Sequence, residues 1–207
     1  MKKLVLIVFV FILAGCAVGN KYNYRTSPMA LPVRPVDHKA VVVSVEDCRP
    51  YVLSGQKEAS FVGIQRGGYG NPFDVTTVSG GPMTEDMAAA IVRGLNAVGY
   101  SVTHVLGEPE ILLLLKKAAK EKATRIVVLK VYDWKSDIYL GTTLSCDLQL
   151  SVFDGKGQLL AKNTMKFEEE IGGAQIGADK NSQTVSDEFA KRIGYLFSKE
   201  EIRNALE

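Results

Sequence analysis

The chain has few of the residues that build metal sites and no excess of one charge. Its 207 residues include three cysteines, two histidines and one tryptophan. Metal sites need several Cys, His or carboxylate ligands close together, and the isolated His38 and His104 do not suggest one. Lysine and arginine number 25 against 23 acidic residues, so the chain lacks the positive charge that neutralises nucleic-acid phosphates. We therefore expect no metal, no cofactor and no nucleic-acid partner.

The common catalytic motifs are also missing. The sequence has no His-Glu-x-x-His, no Gly-x-x-x-x-Gly-Lys phosphate loop and no Gly-x-Ser-x-Gly nucleophile turn. Ser54–Lys57 matches the Ser-x-x-Lys motif of penicillin-recognising enzymes, but it lies in a glycine-rich segment and not at the start of a helix. We therefore predict a protein that is not an enzyme.

The amino-terminal residues are the most informative part of the chain. Two lysines precede an apolar run over residues 4–13, which is too short to span a bilayer, and small residues then lead into Cys16. This is the layout of an export signal. The ending Leu-Ala-Gly-Cys resembles the bacterial lipobox. The resemblance implies that residues 1–15 are removed as a signal peptide and that Cys16 carries diacylglycerol and an acyl chain such as palmitate, a lasting membrane anchor.

The residue after the cysteine bears on the membrane in which the protein resides. Lipoproteins of Gram-negative bacteria commonly carry aspartate there when they stay in the inner membrane, whereas this chain has Ala17. The resemblance therefore implies the outer membrane, with the protein facing the periplasm. Because Lys2 and Lys3 account for the whole basic excess, the processed chain is neutral and we expect the lipid alone to anchor it.

Composition divides the remaining chain into two parts. Residues 16–37 contain Pro28, Pro32 and Pro35 among polar residues, without a sustained period. This pattern predicts a lipidated amino terminus and a flexible tether. Residues 38–207 are long enough for a single periplasmic domain with a sizeable core.

Hydrophobic periodicity predicts the fold of that domain. Ala40–Val45 is a β-branched run that predicts a buried strand, and residues 142–153 alternate strictly between apolar and polar side chains before a Gly-rich turn. The order of elements predicts an α/β (α+β) fold: a mixed β-sheet with helices packed against it, a C-terminal antiparallel hairpin and then a terminal helix. The predicted strands cover residues 40–45, 100–105, 125–134, 142–153 and 158–169, and the predicted helices begin at Thr84, Pro109 and Thr184.

A glycine-rich segment between Arg49 and Pro82 is the candidate binding site. Short hairpin strands are expected near residues 60–64 and 74–78, and the intervening loop is either a plain hairpin tip or a recognition loop. Tyrosine and arginine are enriched where binding energy concentrates. The candidate partner-binding residues are Arg66, Tyr69, Asn71 and Phe73.

Two cysteines remain after Cys16. Cys146 falls in the predicted strand over residues 142–153, and Cys48 lies just after the predicted strand over residues 40–45. In an oxidising compartment they can form a disulfide, whereas cysteine is also a common small residue of protein cores. The sequence leaves both interpretations open.

Several features together resemble the YajG-like family of uncharacterised bacterial lipoproteins. They are the lipobox, the proline-containing tether, Val-Val-Val-Ser-Val-Glu-Asp-Cys-Arg at 41–49, Gly-Tyr-Ser-Val at 99–102 and the Asp-Gly-Lys-Gly hairpin at 154–157. The order of elements is also similar to the amino-terminal domain of TolB and to LpoB. The resemblance implies a non-catalytic α/β module that binds other envelope proteins.

These observations favour a lipid-anchored outer-membrane lipoprotein whose domain binds a periplasmic protein or another envelope component. The alternative is a cell-wall hydrolase or a small-ligand-binding lipoprotein that uses the Gly-rich loop and acids such as Asp47 or Glu168. A mainly structural lipoprotein is a third interpretation.

Overall fold

The secondary structure follows the hydrophobic patterns of the sequence. A computed structural model of the protein describes residues 19–34, 38–107, 110–173 and 178–207. Its strands are β1 Lys21–Tyr22, β2 Ala40–Asp47, β3 Phe61–Arg66, β4 Pro72–Thr77, β5 Ser101–Val105, β6 Arg125–Ile138, β7 Gly141–Asp154 and β8 Leu159–Gly173. Its helices are α1 Pro50–Leu53, α2 Met83–Ala97, α3 Ile111–Lys120, α4 Ala178–Ser198 and α5 Glu200–Leu206. None of the described helices is long and apolar enough to cross a membrane.

The long strand β6 organises the sheet. One of its edges pairs with antiparallel β7 along the whole strand, and β7 pairs in turn with β8. The other edge is shared, because residues 125–131 pair with parallel β2 whereas residues 136–138 pair with parallel β3. Beyond β2 lies β5, and beyond β3 lie β4 and β1. The sheet therefore forks along β6. The predicted mixed sheet, packed helices, C-terminal hairpin and terminal helix are confirmed.

Apolar side chains cover both faces of the forked sheet. Since side chains alternate along a strand, Val127 and Leu129 face the larger core, whereas Ile126 and Val128 face a smaller core on the opposite side. Helices α2, α4 and α5 contribute to the larger core, and α3 contributes Leu114 and other residues to the smaller one. Burying such side chains contributes about 25 cal/mol per Å² of apolar surface.

The segment expected to be a flexible tether over residues 16–37 is instead packed on the domain over much of its described length. The two-residue β1 pairs with β4, and Tyr24 is fully buried. Trp134 Nε1 donates a hydrogen bond to Tyr24 Oη at 3.0 Å. The Tyr24 ring meets the rings of Trp134 and Phe189 edge-on, with centroids at 6.2 and 5.2 Å. The structure thus differs from the expectation because single aromatic residues, with no period in the sequence, supply the buried area.

Polar contacts also attach this segment to the sheet and to α2. The hydroxyls of Tyr22 and Ser136 are hydrogen-bonded at 2.9 Å in the buried interior. Arg25 Nε donates to Asp86 Oδ1 at 2.8 Å, and the Asp86 side chain is 1% exposed. The amino-terminal segment is therefore part of the folded domain from β1 onward.

Candidate functional site

The glycine-rich segment forms a β-hairpin of β3 and β4. The strands pair antiparallel, and Arg66 lies opposite Pro72 at the last paired position. The tip is closed by the Gly67 N–H, which donates to the Asn71 carbonyl at 2.9 Å, and by the Gly70 N–H, which donates to the Gly67 carbonyl at 2.8 Å. Gly70 has φ +80, a left-handed conformation that favours glycine. The local turn chemistry therefore explains why glycines cluster here.

The four predicted binding residues of this hairpin have different environments. Arg66 forms a two-pronged ion pair with Asp137 of β6, with Nε–Oδ1 and Nη2–Oδ2 distances of 2.9 and 2.6 Å. Hydrogen bonding to Asp137, together with its charge, raises the pKa of Arg66. The Phe73 ring is half-buried and lies over Gly67, whose backbone leaves room for it. Asn71 is exposed, and the Tyr69 side chain is 98% exposed.

A second hairpin tip lies between β6 and β7. Tyr139 and Leu140 form it, and the Tyr139 N–H donates to the Gly141 carbonyl at 3.0 Å. Leu140 is 83% exposed and Tyr139 is 50% exposed. Neither residue was among the predicted binding residues, although an apolar pair directly before a glycine between two strands is a detectable signal.

The two tips lie side by side. Strand β3 runs parallel to β6, and Gln65 is in register with Ile138. Both strands therefore end at the same edge of the sheet, where the chain then turns at Tyr69 and at Leu140. We call Tyr69, Tyr139 and Leu140 the tip triad.

An open polar groove of about 450 Å³ lies behind the tips. Its walls include the Arg66–Asp137 ion pair and charged side chains of β6 and β8, among them Lys135, Glu168 and Glu170. The groove is formed by the outward-facing side chains of the long strands. It can present hydrogen-bonding groups and mixed charge to a polar ligand.

The first turn of α3 presents an aliphatic surface. Leu114 and Ala118, one helical turn apart, point into the smaller core. Ile111, Leu112 and Leu113 are about half-exposed, and Leu112 is 54% exposed. These three side chains stay open to solvent because the sheet covers only the narrow stripe of α3 that contains Leu114 and Ala118. We call residues 111–113 the α3 patch.

Asp47 and Arg49 occupy the fork between β2 and β3. Asp47 accepts hydrogen bonds from Arg49 Nε and Nη2 at 2.8 and 2.6 Å. Arg49 also donates to the carbonyls of Phe61 and Ala59, at 2.5 and 3.2 Å, and is 0% exposed. Since the guanidinium is enclosed by these acceptors, this pair joins the loop around α1 to the sheet. The Asp47 carboxylate therefore serves as the partner of Arg49 in a structural ion pair.

Cys48 and Cys146 do not form a disulfide with each other. The Cys48 N–H donates to the Val131 carbonyl on one side of β6, whereas Cys146 pairs with Trp134 on the other side. The cysteines are thus two strand spacings apart, about 10 Å, whereas a disulfide needs Cα atoms within about 7 Å. Burial raises the pKa of the Cys146 thiol to about 12. The interpretation as a small core residue holds for Cys146.

The structure does not describe the predicted lipidation site, but it does describe the single tryptophan. Residues 1–15 and Cys16 lie outside the described residues. Trp134 is fully buried and packs against Tyr24 and Phe189, so it is a core residue. Within the described ranges, no group of three or more His, Cys, Asp or Glu residues is arranged to hold a metal ion.

Comparison with known proteins identifies the fold. No family model and no curated protein matches the chain. Among solved structures, the chain is similar to XCC0632 from Xanthomonas campestris, a protein of the family model DUF330, with 12% identity, coverage of 86% of this chain and 92% of that chain, and a TM-score of 0.54. The likeness shows a shared fold over most of both chains.

Two further structures show weaker likeness. The lipoprotein GNA1162 from Neisseria meningitidis is 11% identical over 76% of this chain and 99% of that chain, with a TM-score of 0.44. The PelC dodecamer from Paraburkholderia phytofirmans is 15% identical over 83% of this chain and 96% of that chain, with a TM-score of 0.42. Membership of the YajG-like family stays a prediction.

Proposed function

We propose that this protein is a lipid-anchored lipoprotein of the outer membrane, facing the periplasm, whose non-catalytic domain binds another envelope protein. The lipobox ending at Cys16 supports the anchor. The α3 patch carries the proposal for the domain, because exposed contiguous apolar surface on a folded protein marks interaction sites.

The surroundings of the α3 patch suit a protein partner. Beside it lies a groove of about 360 Å³ whose lining includes Leu114, Val128 and Phe153. At the rim, Lys130 Nζ and Glu46 Oε2 form an ion pair at 3.1 Å. An apolar floor with a charged rim is the usual anatomy of a protein-binding surface. We expect a partner to insert an aliphatic or aromatic side chain into this groove.

Hydrogen bonds and ion pairs within the protein occupy three acidic side chains, which supports a non-catalytic role. Asp137 is paired with Arg66, and Asp133 accepts a hydrogen bond from the Tyr51 hydroxyl at 2.9 Å. Asp47 is enclosed with Arg49. A general acid or base needs a carboxyl group that can exchange its proton with a substrate, whereas these three groups hold neighbouring elements in place.

Photo-crosslinking in intact cells tests the partner. A photoreactive amino acid replaces Leu112, and a matched variant carries it at Lys120, an exposed residue at the other end of the same helix. We expect a discrete protein adduct from position 112 and none from position 120. The adduct from 112 should disappear when Leu113→Asp is added, a surface change expected to alter stability by less than about 1 kcal/mol. Equal or absent adducts at both positions would argue against the α3 patch.

Metabolic labelling tests the anchor. Cells grown with an alkyne analogue of palmitate should label the protein, and Cys16→Ser should abolish the label and move the protein from the membrane fraction to the soluble periplasmic fraction. Unlabelled wild-type protein would contradict the lipid anchor.

The polar groove behind the tips favours a second candidate, a small-ligand-binding lipoprotein. Its mixed charge, including Arg66 and Glu168, suits a polar cell-wall fragment. Calorimetric titration with soluble peptidoglycan fragments distinguishes the candidates. Saturable binding that Arg66→Ala weakens at least tenfold would support this alternative, and no heat of binding would remove it.

A further inference from the structure

The amino-terminal segment enters the domain beside the β3–β4 hairpin. The Thr76 N–H donates to the Asn20 carbonyl at 3.2 Å. Gly19 lies so close to the Asp74 carbonyl that a Cβ would not fit between them. Because β1 is parallel to β4, the chain followed backwards from β1 runs toward the start of β4 and the hairpin tip. Gly19 is therefore directed toward the end of the molecule that carries the tip triad.

The distance from this point to the proposed lipid is short. Three peptide units separate Cys16 from Gly19, and a fully extended chain spans about 11 Å over that length. Gly19 lies beside Asp74, about 7 Å along β4 from Pro72 where the hairpin tip begins. Given the lipidation that we propose for Cys16, Gly19 lies within about 11 Å of the residue that carries the acyl chains, so the hairpin end of the domain is held close to the lipid headgroups.

The tip triad has the side chains that a membrane interface accommodates best. Tyrosine places its ring among the acyl chains and its hydroxyl among the headgroups. Leucine gains free energy from leaving water in proportion to its apolar area. Tyr69 is 98% exposed and Leu140 is 83% exposed, so most of this apolar area is open to another surface.

The charges near the tips do not provide electrostatic attraction to anionic lipids. Arg66 is paired with Asp137, and Lys57 is paired with Asp74. Besides the Arg66–Asp137 pair, the groove behind the tips adds the acidic side chains of Glu168 and Glu170 against one basic side chain, that of Lys135. An attraction that depends on basic residues would weaken as salt is added, whereas apolar insertion would not.

We propose that the tip triad is the surface on which the domain rests on the bilayer that holds the Cys16 lipid. The proposal rests on the lipid anchor of the proposed function and adds an orientation to it. The groove beside the α3 patch then faces sideways, away from the bilayer, because Lys130 at its rim lies about 26 Å along β6 from Ile138. The lipid and the tips together fix the height at which a partner meets the domain.

Quenching by spin-labelled lipid tests this orientation in the full lipidated protein. The protein is reconstituted in vesicles of neutral phosphatidylcholine that contain lipid with a nitroxide near the headgroup. A fluorescent amino acid replaces Tyr69, Leu140 or, as the matched control, Leu159. Leu159 is 50% exposed and pairs with Phe153 at the opposite end of the long strands, about 40 Å from the tips. Buried Trp134 reports that each variant is folded.

The proposal predicts quenching at Tyr69 and Leu140 at least fivefold stronger than at Leu159, with no change when salt is added. Equal quenching at all three positions would overturn it. So would a photo-crosslinker at Tyr69 that captures a protein and no lipid in intact cells. Mass spectrometry of Cys16 separates the two proposals. An unmodified Cys16 would rule out both the lipid anchor and the proposed orientation. A lipidated Cys16 with no quenching at the tips would rule out the orientation alone.

Discussion

Replacing Tyr24 measures how firmly the amino-terminal segment belongs to the domain. Tyr24→Ala removes a fully buried ring that packs against Trp134 and Phe189. Removal of a buried aromatic side chain lowers the free energy of unfolding by about 3–5 kcal/mol. Tyr24→Phe keeps the ring but leaves the Trp134 N–H without its acceptor, so we expect a loss of about 1–3 kcal/mol.

Urea unfolding of the Cys16→Ser chain measures both changes, because Trp134, the single tryptophan of the sequence, reports on the packing of this segment. Lys21→Ala, at an exposed position of the same segment, is the control and should stay within about 0.5 kcal/mol of the parent. If the segment were a flexible tether, Tyr24→Ala would behave like this control. A Tyr24→Ala loss below about 1 kcal/mol would therefore refute the assignment of the segment to the domain.

Three further predictions concern the interior. Arg49→Met should lower the free energy of unfolding by about 3–5 kcal/mol, because it leaves the Asp47 carboxylate buried without its cation; a loss under about 1 kcal/mol in urea would contradict this. Burial raises the pKa of Tyr22 from 10.0 to about 12. The protonated Tyr22 hydroxyl therefore contributes fully to the free energy of unfolding below pH 10, and this contribution should be lost as the pH rises through about 12. In urea titrations, Tyr22→Phe should make this decline with pH less steep. Peptide mapping of the denatured, unreduced protein should find no peptide pair linked through Cys48 and Cys146, and finding such a pair would contradict their placement on opposite sides of β6.

The sequence predicts the regular elements because each carries its own pattern. Residues 142–153 alternate with period two, and β7 spans Gly141–Asp154 with the predicted face in the core. Ala40–Val45 is a β-branched run, and it lies in β2, an interior strand between β6 and β5. The Asp-Gly-Lys-Gly turn correctly placed the last hairpin.

The features that the sequence did not predict depend on contacts between distant residues. Arg49 is 0% exposed, which no charge pattern indicates, because its acceptors lie on two separate segments. Tyr24 follows no period, and only its fit between Trp134 and α4 makes it a core residue. In the hairpin that was predicted to bind a partner, Arg66 forms an ion pair with Asp137, whereas the Tyr69 side chain is exposed. The proximity of Tyr69 to Leu140 follows from the parallel pairing of β3 with β6, which sequence periodicity does not reveal.

The height of the domain above the bilayer shows whether the domain stands upright on its membrane. We propose that the Cys16 lipid and the tip triad hold the domain upright, with the long strands β6–β8 leading away from the membrane. Energy transfer from a fluorophore at Leu159 to an acceptor lipid in the same vesicle measures this height. For an upright domain we expect a distance of about 40 Å or more with a narrow distribution, since the strands rise by about 3.3 Å per residue. A distance under about 20 Å, or a broad distribution that includes it, would mean that the domain lies flat or swings on its lipid and would overturn this orientation.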